Sequence, residues 1–294
     1  MNSATHMQAG DWIDRWAPEA IQPYLRLARL HKPIGTWLLL FPGWWSLTLA
    51  AAPGHWPSAR LIVLFGIGAV VMRAAGCTVN DMVDRDFDRK VARTATRPLA
   101  SGRLGMEQAT IFLGLLLLIG FVILLQLQPL AIALGVFSLA LVAAYPFMKR
   151  ITWWPQAWLG LTFNWGALLG FSAAIGAGPG FWRQIAPFVV ASGDWRFLSQ
   201  ALADSALQPP ALLLYAAGVF WTLGYDTIYA VLDLEDDALA GVKSSARRLG
   251  AQAPLAVLGF YRTSLALLIA AGAAARLGPA FYILLIGYGI QLCS

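Results

Sequence analysis

The sequence predicts an all-α fold, a polytopic bundle of transmembrane helices. Three observations carry that prediction. Of 294 residues, 59% are hydrophobic and only 12% charged, half of the roughly 25% charge that soluble domains carry. Apolar segments approaching the ~20 residues that span a bilayer recur along the chain. Lysine and arginine gather in alternate loops, on one side of the implied threading. A soluble chain of this length needs more polar surface than this one supplies. Intrinsic disorder is excluded, because disordered chains are poor in apolar residues.

Residues 1–24 form a cytoplasmic N-terminal segment, of which 1–20 are polar to mildly amphipathic, with Trp12, Ile13 and Trp16 as an interfacial face. The first long apolar run opens near Ile34, without a small-residue cleavage site, and reads as a transmembrane helix rather than a signal peptide. The eight segments fall at 34–52, 60–80, 108–126, 128–146, 153–176, 210–232, 253–275 and 278–292. Turn signals separate them at Pro53-Gly54, Ser101-Gly102, Gln128-Pro129, Gly178-Pro179-Gly180, Pro209-Pro210 and Gly278-Pro279. Abundant glycine and alanine suit close helix packing in lipid. The stretch 176–208, with Trp182, Trp195 and Phe197, reads as an extracytoplasmic amphipathic helix. The whole is expected to be one integral-membrane domain over 1–294.

Charge orients the bundle. With the N-terminus inside, the inside segments hold Arg15, Arg26, Arg29, Lys32, Arg85, Arg89, Lys90, Arg93, Arg97, Arg103, Lys149, Arg150, Lys243, Arg247 and Arg248, whereas the outside loops hold only Arg60, Arg183, Arg196 and Arg276. This positive-inside pattern accounts for the net charge of +6. Nucleic acid is not an expected partner, since no basic stripe with a recognition motif is present. Two cysteines (Cys77 and Cys293) and three scattered histidines give neither a disulfide framework nor a zinc pattern.

Acidic residues concentrate at the inside ends of the second and sixth segments. The first cluster is Asn80-Asp81-Met82-Val83-Asp84-Arg85-Asp86-Phe87-Asp88, and Asn80, Asp84 and Asp88 repeat at i, i+4, i+8 on one helix face. Arg73 lies two turns deeper. The second cluster runs from Asp226 through Tyr229, Asp233 and Asp236 to Asp237. Asp233 and Asp237 are again i, i+4, with Tyr229 and Asp226 one and two turns deeper. Like charges stacked on one helix face repel, and acids near a membrane are costly and functional by default. A divalent cation resolves both costs. Carboxylate and amide oxygens are hard ligands suited to Mg2+, which binds through one or two carboxylates, waters and substrate phosphates.

Basic residues follow each cluster. Arg93, then Arg97-Pro98-Leu99-Ala100-Ser101-Gly102 and Arg103, come after the first; Gly241-Val242-Lys243-Ser244 comes after the second; Lys149-Arg150 lies on the same side. Lysine and arginine are the usual phosphate partners. A ligand with an anionic head and an apolar tail fits this arrangement in a bilayer.

These motifs resemble those of the UbiA family of intramembrane prenyltransferases. Asn80-Asp81-x-x-Asp84-x-x-x-Asp88 is similar to the family's first aspartate-rich motif, and Asp226 to Ser244 to the second. Arg29-Leu30-His31-Lys32-Pro33-Ile34-Gly35-Thr36 resembles the opening of helix 1 in the branch that prenylates 4-hydroxybenzoate for ubiquinone synthesis. The resemblance runs from about residue 25 to 276. It implies a bundle around a central cavity, capped on the cytoplasmic side. The expected location is a bacterial inner membrane rather than a mitochondrial one, as no Arg/Ser-rich transit peptide is evident. The resemblance implies Mg2+ held by Asn80, Asp81, Asp84, Asp88, Asp233, Asp236 and Asp237, and diphosphate held by Arg93, Arg97, Lys149 and Lys243. Asp84, Asp88, Asp233 and Asp237 would then carry catalysis, with Arg73 on the side of the aromatic acid or of the diphosphate and Asp226 and Tyr229 orienting the acceptor or stabilising the cation, while Arg29 and Lys32 would belong to the helix that admits substrate. The implied substrates are a polyprenyl diphosphate and 4-hydroxybenzoate. Homogentisate, a naphthoate or a chlorophyllide are rival acceptors, and an ion-coupled transporter is the rival of another class. The family has nine helices where this sequence offers eight, the last ending at Cys293-Ser294.

Overall fold

The computed structural model describes residues 11–52, 54–92, 94–175, 207–234 and 241–293. All regular elements among them are helical: α1 (Trp12–Trp16), α2 (Gln22–Leu27), α3 (Ile34–Leu49), α4 (Ala59–Val83), α5 (Arg85–Asp88), α6 (Met106–Leu124), α7 (Pro129–Ile151), α8 (Pro155–Phe163), α9 (Trp165–Ile175), α10 (Pro209–Leu232), α11 (Ser245–Leu249), α12 (Ala253–Ala274) and α13 (Pro279–Cys293), with a 3-10 turn between α11 and α12. Six stretches are long and apolar enough to cross a bilayer: Ala59–Val83, Met106–Leu124, Pro129–Ile151, Pro155–Ile175, Pro209–Leu232 and Ser245–Ala274. The helix α3, with 16 residues, and the apolar Pro279–Leu292 are shorter. The eight expected segments each find a helix, and the fifth is broken in two at Asn164. The amphipathic helix expected within 176–208 falls almost wholly outside the described residues.

The chain divides into two compact units, one of residues 1–38 and 66–123, the other of residues 39–65 and 124–294. In the first unit, α1 is capped by Asp11, whose Oδ1 accepts from the backbone N–H groups of Ile13 and Asp14 at 3.0 and 3.2 Å. Arg26 then grips both acids, with 2.6 Å to Asp14 and 3.2 Å to Asp11. Ile13 is fully buried while Trp12 and Trp16 are exposed. The expected three-residue interfacial face is therefore corrected. Residues one apart lie about 100° around a helix, so Ile13 turns inward and only the i, i+4 tryptophans share an outer face.

The helix α2 ends in a Schellman turn, with Leu30 N–H donating to Leu25 C=O and Arg29 N–H to Arg26 C=O at 3.1 and 3.0 Å. The residue in the left-handed position of that turn is Arg29, at φ +57°. Glycine usually occupies it, because a Cβ there costs roughly 1–2 kcal/mol. The core of this unit packs Leu27 of α2 against Leu99, Leu104 and Ala109. A second cluster joins Ala28 to Val71, Ala74 and Ala75 of α4 and Leu116 of α6.

In the second unit, small residues let backbones approach, as expected for helices in lipid. A Cβ on Gly170 would stand 2.8 Å from the carbonyl oxygen of Gly43, and one on Gly160 would stand 3.0 Å from that of Val219. Polar side chains close gaps in the backbone ladder. Asn164, at the break between α8 and α9, donates to Gly160 C=O and to Thr222 Oγ1, both at 2.9 Å. The indoles of Trp158 and Trp165 donate to Leu141 and Leu134 carbonyls of α7, both at 2.9 Å.

Candidate functional site

In the first unit, α4 runs through Asn80 and Asp81 and stops at Val83. Asp84 takes a bridge conformation, φ −95°, ψ 8°, and α5 begins behind it. The hydrogen-bond ladder survives the break: Asp84 N–H donates to Asn80 C=O at 2.9 Å, and Asp88 N–H to Asp84 C=O at 2.8 Å. The i, i+4, i+8 stacking expected of Asn80, Asp84 and Asp88 is thus kept in the backbone. Asn80 and Asp84 are half-buried; Asp81 and Asp88 are buried, at 1% and 4% exposure.

Asp81 has a different partner set from the one expected. Arg29 Nη2 donates to both its carboxylate oxygens, at 2.7 and 2.9 Å. Arg97 Nη1 donates to Asp81 Oδ1 at 3.1 Å and to Asp88 Oδ2 at 2.7 Å. Two arginines and two aspartates therefore form one neutral chain, Arg29–Asp81–Arg97–Asp88. These arginines are the partners the structure shows for Asp81, which the sequence reading placed among the metal ligands. As neighbour to Asn80 it sits about 100° around the helix, on the side where the left-handed turn at Arg29 delivers a guanidinium. Arg29, expected on a substrate-admitting helix, is the residue that holds Asp81; Lys32 is exposed.

The segment after the first motif is built to hold Arg97. Leu99 is fully buried among Leu27, Leu104 and Ala109. Ser101 N–H donates to Arg97 C=O at 2.8 Å and Leu104 N–H to Pro98 C=O at 3.1 Å. Gly102, at φ +79°, supplies a conformation that side chains disfavour. Arg89 Nε ties the loop across to Ala100 C=O at 3.1 Å, and Thr94 Oγ1 donates to Asp88 C=O at 3.0 Å.

Arg73 is half-buried in α4. Its guanidinium lies across Gly35 at the start of α3: a Cβ on Gly35 would stand 2.5 Å from Arg73 Nε and 2.6 Å from Nη2. The glycine of the Lys32-Pro33-Ile34-Gly35-Thr36 segment thus makes room for this arginine. Upstream, burial together with the charges of Arg26, Lys32 and Arg29 pushes the His31 imidazole down to about 4. Its Nδ1 is buried without a hydrogen-bond partner.

In the second unit, α10 ends at Asp233. Asp226 and Asp233 are half-buried and Tyr229 is exposed. Between them, buried Thr227 pairs with Ser245 (Oγ1 to Oγ, 2.8 Å), and Ser245 N–H donates to Gln156 Oε1 at 3.1 Å. These bonds fix the segment that follows the second motif. Gly241 takes φ +68°, and Ser244 caps α11. Lys243 N–H donates to Lys149 C=O at 2.9 Å, so the two expected phosphate-binding lysines are joined through the backbone. The Lys243 ammonium donates to Ile151 C=O at 3.0 Å and lies 5.9 Å from the centre of the Trp153 ring, with Arg247 at 5.6 Å. Gln156, Thr227 and Trp153 were not singled out from sequence. Nothing in the pattern of single residues marks them, since each acts through a tertiary contact. Arg93, Asp236 and Asp237 lie outside the described residues. Among the described residues, no three His, Cys, Asp or Glu side chains converge as a metal site.

Comparison with known proteins completes the picture. A family model described as the UbiA prenyltransferase family matches residues 39–293. A relative from Arabidopsis thaliana, named 4-hydroxybenzoate polyprenyltransferase, mitochondrial, is 49% identical over 276 residues, which is 94% of this chain and 61% of that protein. The chain thus spans about three fifths of that relative's length. A UbiA homolog from Aeropyrum pernix K1, solved in its apo form, is 26% identical with a TM-score of 0.67, covering 87% of this chain and 85% of that one. A UbiA homolog from Archaeoglobus fulgidus, solved bound to GPP and Mg2+, shares the fold with a TM-score of 0.62 at 18% identity, covering 92% and 86%. The chain belongs to the UbiA prenyltransferase family.

Proposed function

We propose that the chain transfers a polyprenyl group from polyprenyl diphosphate to the ring carbon ortho to the hydroxyl of 4-hydroxybenzoate, releasing diphosphate, in ubiquinone biosynthesis. We read residues 1–294 as one catalytic domain, since α3 and α4 supply residues to both compact units. The observation that carries the reading is the first motif. It stacks an amide and two carboxylates on successive turns and seats Arg97, a phosphate-type cation, among them. The likeness to a relative named for this activity supports the acceptor.

Hard oxygen donors are what Mg2+ requires, and Asn80, Asp84 and Asp88 in the first motif suit it, as do Asp233 and Asp237 in the second. Bound there, Mg2+ would offset the charge that builds on the departing diphosphate. Arg97 in the first unit, and Lys149 and Lys243 in the second, are cations suited to phosphate oxygens. Arg73 has a planar fork that matches the benzoate carboxylate bidentately. Tyr229 presents a ring face to a cation, and Asp226 Oδ is suited to take the proton released from the attacked carbon. An apolar lining along the prenyl chain would keep water from the allylic cation. The gathering of Lys and Arg in the loops beside both motifs supports a site on the inside face of an inner membrane. The relative's name points to a mitochondrion, against the bacterial cell expected from sequence.

The test is turnover by membranes containing the chain, given a polyprenyl diphosphate and one acceptor at a time. The proposal requires diphosphate release that depends on 4-hydroxybenzoate. Release with homogentisate or a naphthoate instead keeps the chemistry and removes the acceptor.

A further inference from the structure

We propose that Arg97 is a resident cation of the first aspartate motif, neutralising Asp88 before metal arrives and passing to the diphosphate when metal and substrate bind. The inference rests on the function proposed above. One nitrogen, Nη1, serves both carboxylates, with the shorter contact, 2.7 Å, to Asp88 and the longer, 3.1 Å, to Asp81. Asp88 is buried, so its charge demands a partner at hydrogen-bond range, and Arg97 is the cation the structure shows on it.

The surroundings separate what is fixed from what moves. The backbone at residue 97 is held by the Ser101 and Leu104 hydrogen bonds and by the buried Leu99. Asp81 is independently neutralised by Arg29. If Asp88 turns to a metal ion, Arg97 keeps Asp81 as a tether and gains free donors next to the incoming phosphate oxygens. Bare metal must compete with a guanidinium for Asp88, whereas metal arriving with diphosphate supplies Arg97 with a replacement acceptor. Metal and diphosphate therefore bind with positive coupling, and each raises affinity for the other by the same factor.

The test measures Mn2+ binding to the purified full chain by electron paramagnetic resonance, with and without an unreactive thiolo analogue of a prenyl diphosphate. Without the analogue, Arg97→Gln should bind Mn2+ about tenfold more tightly than wild type, one charge-assisted hydrogen bond's worth. With the analogue, wild type should gain at least that much and Arg97→Gln much less. Should Arg97→Gln fail to fold, Arg97→Lys serves. Lysine keeps the charge but lacks the planar fork that seats Arg97 against Asp88, so Mn2+ should bind roughly threefold more tightly. Unchanged or weaker Mn2+ binding in the variant used overturns the inference, because removing a cation that competes with metal for Asp88 must strengthen metal binding. No Mn2+ binding by wild type even with the analogue removes the proposed function itself.

Discussion

Replacing Asp81 with asparagine separates two roles that the sequence leaves superimposed. The carboxylate accepts from Arg29 at 2.7 and 2.9 Å and from Arg97 at 3.1 Å, at 1% exposure. An amide keeps the shape but offers one acceptor, no charge, and two donors facing two guanidinium groups. Breaking a buried ion pair on one side costs about 3–5 kcal/mol. The arginine side chains are 17% and 27% exposed, so water recovers part of the loss, and Arg97 keeps Asp88. We expect Asp81→Asn to destabilise the folded chain by about 3 kcal/mol. The assay is thermal unfolding of purified protein in detergent without divalent metal, where that cost lowers the midpoint by roughly 6–12 °C. An unchanged midpoint, with only a higher Mg2+ requirement for turnover, would refute the reasoning and return Asp81 to the metal ligands.

Three further outcomes follow from the same geometry. Arg29→Ala keeps the left-handed strain and loses the ion pair, whereas Arg29→Gly loses both, so the glycine variant should unfold later, by up to about 1 kcal/mol after its added chain entropy; equal or reversed midpoints would contradict the strain argument. Gly35→Ala should leave stability nearly intact but push the Arg73 guanidinium aside, raising KM for 4-hydroxybenzoate roughly tenfold with KM for polyprenyl diphosphate unchanged; an equal rise for both substrates would take Arg73 away from the acceptor. His31 stays neutral in the fold down to about pH 4 while its unfolded counterpart protonates near 6.5. Its stability contribution is therefore complete above pH 6.5 and lost as pH falls toward 4. His31→Phe should flatten the melting midpoint across that window, and an unaltered slope would assign it to other groups.

Much of this was legible in the residues. Eight apolar runs bounded by turn signals became helices at almost the expected limits, because length and hydropathy settle that question in lipid. The break at Asn164 was not legible, since its stability comes from Thr222, 58 positions away. The turn at Arg29 lacks the glycine that would have announced it. Asp81 shows a limit of another kind. Its spacing to Asp88 is seven residues, two turns on one face, which marks that pair as readily as Asn80 and Asp84 mark theirs. Spacing alone does not say which carboxylates meet arginine; the guanidinium positions decide that, and they depend on a left-handed turn and on the buried Leu99.

The most direct test of the central claim is mass spectrometry of the product formed from 4-hydroxybenzoate and a polyprenyl diphosphate, by the wild-type chain and by Asp84→Ala and Asp233→Ala. We expect a C-prenylated acid, substituted ortho to the hydroxyl, that disappears on chelation of Mg2+ and in both variants. Undiminished product in either variant, or product without divalent metal, would contradict the claim.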